Sequence, residues 1–478
     1  MVTAQKITSN TTWYLLALVL QKLMSFVYFT LLARHLGAEF LGQYYFAISF
    51  ATMFSVAMDF GLSTVLIREV AKKQFEVEKL FQQIFSLKII LSLITALVII
   101  ALDLLLFSSD AVRPLIYLTS LIVLIDSFTL FFYAYIRGQQ NLRYESFGTI
   151  LFQAIIMVLG LVAMRLYISV WPFIIVTLIA SIINFIWSAF FVLKKYQVKL
   201  NWLYDKVLVQ KVIIITWPFA LSAIFAKVYA YVDSFILKIL STNSQLGFYS
   251  VAYKVTFAWQ FIPLAFVAAL YPAFSHYYQH DKQNLEQILR RAIFYLAYIA
   301  LPIAGGIAIL AEVLIHQFYT KHFSISILPL QILIISLPFL FINFALSYFL
   351  NATDRQTTNT RNLGLTMILN VVLNLILIPK LAAVGAALAS SISTIFLCMI
   401  DLWAVKKVLI NNLKIWWPLT KALVAAILMV IFLILFKDNF PLFLTAILAA
   451  LIYFALLLLF GNLSRADWQF VKESMLKR

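Results

Sequence analysis

Charge is what this chain of 478 residues has least of: 12% of its positions are Asp, Glu, Lys or Arg, against 64% hydrophobic, and its mean hydropathy is +0.98. A water-soluble domain of that length needs a mixed polar surface, so the scarcity excludes one and leaves an integral membrane protein. Cysteine is nearly absent. The lone Cys398 lies in an apolar run and rules out a disulfide framework within the chain. Phosphate-binding loops, nucleotide-hydrolysis motifs and metal-spaced clusters are also missing, and the five histidines (His35, His276, His280, His316 and His322) fall in loops or at the ends of apolar runs. No cofactor, metal site or catalytic residue is expected. Work done by such a chain draws on a cargo gradient, a proton or sodium gradient, or the membrane potential, in which one charge is worth about 2.3 kcal/mol per 100 mV. Acidic residues are few, 19 against 36 Lys and Arg, for a net charge of +17. No basic run is joined to a soluble recognition fold, so nucleic acid is not an expected partner.

What the chain has in abundance is apolar runs long enough to cross a bilayer, about 20 residues each. Fourteen such spans are expected, near 12–33, 43–66, 83–107, 114–136, 147–168, 171–193, 212–240, 247–274, 292–315, 325–350, 362–379, 382–405, 417–436 and 440–460. Most Lys and Arg then fall in loops on one side, while the other side holds only Arg34, Arg113, Arg165, Lys321, Lys380 and Lys437. Positive charge is retained in the cytoplasm, so both termini are expected there, in a multi-pass protein of the inner cell membrane. The positive net charge is mostly topology. The stretch 68–82 mixes Lys and Glu with apolar residues and reads either as an amphipathic helix on the inner membrane surface or as a solvated connector.

The chain also repeats itself. An offset of 205 residues pairs Leu16 with Leu221, Lys22 with Lys227, Val27 with Val232, Leu32 with Leu237, Leu41-Gly42 with Leu246-Gly247, Tyr44 with Tyr249 and Ala47 with Ala252. Six spans separate the copies, so both begin on the same side and the repeat is parallel. The expected fold class is an all-α integral membrane protein of about fourteen transmembrane helices: two six-helix lobes related by a parallel pseudo-twofold repeat, plus a C-terminal helix pair. The expected division is 1–200, 201–408 and 409–478.

Charges inside the spans are the candidate functional residues. A lysine facing lipid near mid-membrane costs about 2.5–3.5 kcal/mol on insertion scales. A water-filled cavity removes most of that cost. Lys22 and Lys227 lie at equivalent depth in the two copies, Lys238 follows Lys227 by about 16 Å along nearly one helix face, and Lys254 enters the next span. Two readings are open: these lysines line a cavity and bind an anionic cargo, or they pair with Asp59, Asp126 or Asp233 and hold helices together. Asp59, near Arg68, reads as a gate or ion-coupling group or as a structural pair or helix cap. Asp126, deep in the fourth span, is the better proton or sodium candidate.

Three stretches carry a family resemblance: "LLARHLGAEFLGQYYFAISFATMFSVAMDFGLSTVLIREVAKK" at 31–73, "NATDRQTTNT" at 351–360 and "NVVLNLILIPKLAAVGAALASSIST" at 370–394. The chain resembles the Wzx-like polysaccharide and oligosaccharide flippases, a branch of the multidrug/oligosaccharidyl-lipid/polysaccharide exporter superfamily. The resemblance implies translocation of a polyprenyl-pyrophosphate-linked oligosaccharide from the cytoplasmic to the outer leaflet by alternating access. It places the cargo phosphates on cavity cations, here Lys22, Lys227, Lys254 and Lys238. Related flippases favour arginine there; lysine supplies a point charge without the bidentate fork. Implied partners are the lipid-linked oligosaccharide, membrane lipids and neighbouring polymerases or ligases. The alternatives are a multidrug or metabolite exporter of the same fold, which needs an acidic site, and a lipid-linked glycan polymerase or glycosyltransferase, which needs a large outer loop. The longest outer loop is the short one around "HQFYTKHFS".

Overall fold

The computed structural model describes residues 4–72, 76–106, 112–409, 416–437 and 439–461. Among these there are helices and turns and no strand. The α-helices are α1 (Ala4–Asp59), α2 (Leu62–Lys72), α3 (Val77–Leu106), α4 (Arg113–Gly138), α5 (Arg143–Leu166), α6 (Trp171–Phe190), α7 (Lys206–Leu240), α8 (Asn243–Phe257), α9 (Phe261–His280), α10 (Lys282–Tyr319), α11 (Ile327–Ile335), α12 (Leu337–Ala352), α13 (Gln356–Lys406), α14 (Trp416–Phe436) and α15 (Leu442–Leu459).

Among the described residues, twelve helical stretches are long and apolar enough to cross a membrane. Two of them, Leu16–Asp59 with 44 residues and Gln356–Lys406 with 51, are about twice the length one crossing requires. Each is interrupted near its middle, at Gly37 (φ 71°) and at Ala382 (φ 47°). Glycine suits the first break because positive φ carries no Cβ clash there. With both long stretches counted as two, the twelve become the fourteen crossings expected from the apolar runs. The protein is a multi-pass helical membrane protein.

Element ends differ from the apolar runs where a turn is hidden inside one. The run 43–66 is not one helix: α1 stops at Asp59, the chain turns through Phe60 and Gly61 (φ 46° and 76°), and α2 begins at Leu62. Hydropathy is blind to such a turn because both sides of it are apolar. The run 325–350 is likewise divided between α11 and α12 at Ser336, just before Pro338. Of the 68–82 stretch, 68–72 close α2, a short amphipathic helix whose Leu62, Val65, Leu66 and Val70 are buried; residues 73–75 lie outside the described residues. So do the tail 462–478 and the side chains of 1–12, where the chain ends expected in the cytoplasm fall.

The chain divides into two compact units, Met1–Gly247 and Phe248–Arg478. In the first, α2, α3 and α4 meet on an aromatic core in which Phe81 lies 4.6 Å from Phe131 and edge-on to Tyr135. In the same unit α7 packs along α1, with Phe50 and Phe235 stacked. The second unit has one core among α9, α10 and α12 and another where α10 receives the C-terminal pair α14 and α15. Many large apolar side chains stay exposed on the helices, among them Leu97, Leu105, Ile214 and Leu459. Exposure of that kind suits a lipid solvent.

Candidate functional site: a charged cavity in the first unit

Four helices of the first unit surround a cavity of about 400 Å³. On α1, α4 and α7 the lining residues recur at helical spacing, so one face of each is turned inward. From α1 come Thr52, Ser55 and Asp59, three and four residues apart; α2 adds Ser63 and Thr64. α4 contributes Asp126 and Arg137 eleven residues apart, and α7 contributes Phe219, Ala223 and Lys227 at intervals of four. Two smaller hollows of about 290 Å³ adjoin, and Asp126 lines both as well as the main cavity.

The charges in this cavity fall into two kinds. Asp59 is held: Lys88 of α3 donates to its Oδ1 at 2.7 Å, and Ser63 donates to it through its hydroxyl and, at 3.4 Å, its backbone N–H. Lys88 has no exposed side-chain surface, whereas Asp59 keeps 26% of its own. Arg137 is also held. Its Nε donates to Glu145 at 2.6 Å, a second nitrogen reaches the other carboxylate oxygen, and that nitrogen also bonds the Tyr14 hydroxyl at 3.3 Å. Such a bidentate pair fixes the guanidinium in place. Lys227 and Asp126 are different. Neither forms an ion pair among the described residues, and Lys227 is steadied by the ring of Tyr231, 5.6 Å from its Nζ. One cation and one carboxylate thus face the same cavity without neutralising each other through a salt bridge.

Of the residues singled out in the sequence, Lys227, Asp126 and Asp59 come together here. The others stand apart. Lys22 is exposed on α1, next to Gln21, whose side chain lines the two smaller hollows. Lys238 is half-buried, donates to Asn243 Oδ1 at 2.8 Å and lies 5.9 Å from the Phe46 ring; Asp233 on the same helix is buried. Arg68 does not reach Asp59: it is exposed and meets its neighbour Glu69 at 3.5 Å. Lys254 is half-buried on α8 in the second unit.

Sequence reasoning passed over Lys88 and Arg137. Lys88 sits in "FSLKIILSL", a lone lysine in an apolar run like Lys22 and Lys227, and that signal was available. Arg137 precedes "GQQNLR" and reads as a loop charge, because the sequence does not show that its side chain turns back into the bundle. Asp401 in the second unit was also missed. It is fully buried, accepting from Asn362 Nδ2 at 2.8 Å and standing 3.4 Å from the Ser347 hydroxyl.

The fold and its cavity define a polytopic helical membrane protein with ionisable groups held inside a bundle, a pattern characteristic of membrane transport. Residues 7–278, more than half of the chain, match the family described as "Polysaccharide biosynthesis protein", and residues 218–376 match the family MatE. The chain belongs to the polysaccharide biosynthesis protein family, and the matched residues include the stretch 31–73. It is 25% identical over 173 residues to the probable low-salt glycan biosynthesis flippase Agl15 of Haloferax volcanii, covering 36% of this chain and 37% of that one. It is 26% identical over 172 residues to the probable flippase AglR of the same organism, covering 34% of this chain and 35% of that one. The aligned part thus spans little more than a third of the length of these relatives. Its fold is that of the lipid II flippase MurJ in an inward closed conformation, with a TM-score of 0.77 at 17% identity, over 94% of this chain and 98% of that one.

Proposed function

We propose that this protein is a flippase that carries a polyprenyl-pyrophosphate-linked oligosaccharide from the cytoplasmic to the outer leaflet of the inner membrane by alternating access, with both termini cytoplasmic. The observation that carries the reading is Lys227, a lysine with no carboxylate partner among the described residues, facing a polar cavity in a chain of the polysaccharide biosynthesis family. A half-buried ammonium that lacks a counter-ion is available to an anion, and a pyrophosphate offers several oxygens to it. The names of Agl15 and AglR support a lipid-linked glycan as the cargo class. The loop bias of Lys and Arg supports the orientation.

Asp126 gives the cavity a second role in this proposal. An ionised carboxylate lining the same cavity as Lys227 competes electrostatically with the ammonium's hold on the cargo's phosphates, and a neutral or cation-bound carboxylate does not. Asp126 therefore exchanges a proton or sodium ion against cargo. The same residue favours a second reading, a multidrug or metabolite exporter of the same fold, which needs an acidic site of this kind. The experiment that separates them is translocation of a labelled polyprenyl-pyrophosphate oligosaccharide in proteoliposomes. Wild-type transport that collapses in Lys227→Ala supports the flippase. Folded protein that moves no such lipid under an imposed gradient, yet moves an organic cation, overturns it.

A further inference from the structure

Residues 194–211, the connector from α6 together with the first turns of α7, carry Lys194, Lys195, Lys199, Lys206 and Lys211, all exposed, against the single acid Asp205. That acid is itself exposed and is engaged locally: its carboxylate accepts the backbone N–H groups of Val207 at 2.9 Å and Leu208 at 3.2 Å and caps α7. None of the five lysines forms an ion pair among the described residues. Between them Leu200, Trp202 and Tyr204 alternate along a non-helical stretch. All three are exposed, Trp202 by 60% and Tyr204 by 63%.

A solvated connector does not need fixing, yet this one is fixed. Three polar side chains of α3, all buried, hold its backbone: Gln82 Nε2 donates to the Lys199 carbonyl at 3.3 Å, Ser86 Oγ accepts from Leu203 N–H at 3.0 Å, and Gln83 Oε1 accepts from Asp205 N–H at 2.7 Å. The strap therefore keeps its aromatic rings and most of its ammonium groups on display; Lys195 Nζ donates to the Tyr144 hydroxyl, and Lys194 Nζ lies 5.7 Å from the Phe190 ring. Its two ends run into the membrane stretches Trp171–Lys195 and Lys206–Leu240, which places it at the bilayer surface. Amphipathic rings settle at headgroup depth, and lysines beside them attract anionic headgroups.

We infer that the 194–211 strap is a docking surface for anionic phospholipid headgroups of the leaflet it borders. This goes beyond the proposed transport cycle and does not depend on its cargo. The test uses the full chain in bilayers of phosphatidylcholine or phosphatidylglycerol, each brominated at a shallow acyl position. The Trp202 signal is the fluorescence lost in Trp202→Phe. We expect that signal to be quenched at least about twofold more by brominated phosphatidylglycerol than by brominated phosphatidylcholine, with the preference weakened by salt. The preference should vanish when Lys194, Lys195, Lys199 and Lys206 are changed together to Gln and persist when they are changed to Arg. Equal quenching by the two lipids in wild type overturns the inference. Quenching by neither overturns it too, since the strap then faces water or a protein. Either failure leaves the flippase proposal standing.

Discussion

At the scale of single residues, the cavity distinguishes charges that hold helices from charges that remain available. Lys88 and Asp59 form a pair with unequal surroundings, one shut away and the other wet on one side. Removing one partner from a buried pair costs about 3–5 kcal/mol when the survivor is left as an uncompensated buried charge. Asp59→Asn leaves the enclosed Lys88 in that position and is expected to approach this cost. Lys88→Met leaves Asp59 with Ser63 and the cavity, and is expected to cost distinctly less. Thermal unfolding of the two variants in detergent decides it, and equal losses would mean that the enclosure of Lys88 does not govern the pair. For Lys227 the expected effect is on transport. A hydrogen bond to a charged group contributes about 1.5–3 kcal/mol, so Lys227→Ala should lower cargo affinity about ten- to hundred-fold. Lys227→Arg should retain more than Lys227→Glu, measured as the concentration dependence of translocation.

At the scale of elements, the repeat acquires a physical meaning. Its identities mostly mark close packing: Leu32 and Leu237, Leu41 and Leu246, and Ala47 and Ala252 are all fully buried. Gly42 and Gly247 go further. A Cβ on Gly42 would lie 1.8 Å from the carbonyl oxygen of Asn243, and one on Gly247 would lie 1.9 Å from that of Ala38. Ala38 and Asn243 are themselves 205 residues apart, so the two contacts are the same contact made reciprocally by the two copies within the first unit. Backbone cannot swing aside as a side chain can. Gly42→Ala or Gly247→Ala is therefore expected to destabilise by about 1–3 kcal/mol, as overpacking does, while Gly306→Ala, where a Cβ meets nothing within 4 Å, should be nearly neutral. Detergent melting temperatures of the three variants provide the check. The cap of α7 is a milder case: Asp205→Ala should cost about 1 kcal/mol by freeing the N–H groups of Val207 and Leu208.

The lysine pair shows where reading by repeat stops. Lys22 and Lys227 occupy matched positions, yet one is exposed and the other half-buried in a cavity wall. Matched sequence positions do not share all their neighbours: besides each other and α3, α1 packs against α4 and α5, and α7 against α2.

At the scale of the whole molecule, the prediction concerns coupling. If Asp126 exchanges a cation or proton against cargo, transport in proteoliposomes should accelerate under an imposed proton or sodium gradient, and Asp126→Asn should abolish that acceleration while leaving slow gradient-independent movement. An unchanged gradient response in Asp126→Asn removes Asp126 from coupling. Such a measurement also separates a gradient from the membrane potential, since potassium and valinomycin set the latter alone.

Hydropathy and motifs along the chain are enough for the membrane class, the helical spans and the family. Those properties follow from hydrophobic length, which each segment satisfies locally, and from motifs read along the chain. The sequence also exposes the repeat, because identical packing needs leave identical residues. Which charges meet is settled by the packed bundle. That Asp59 belongs to Lys88 across 29 residues, that Arg137 is clamped by Glu145, and that Lys227 and Asp126 share a cavity as ion-pair-free groups all depend on which helix faces turn toward one another. Facing is set by side-chain packing among several helices at once, and no single helix carries that information in its own periodicity.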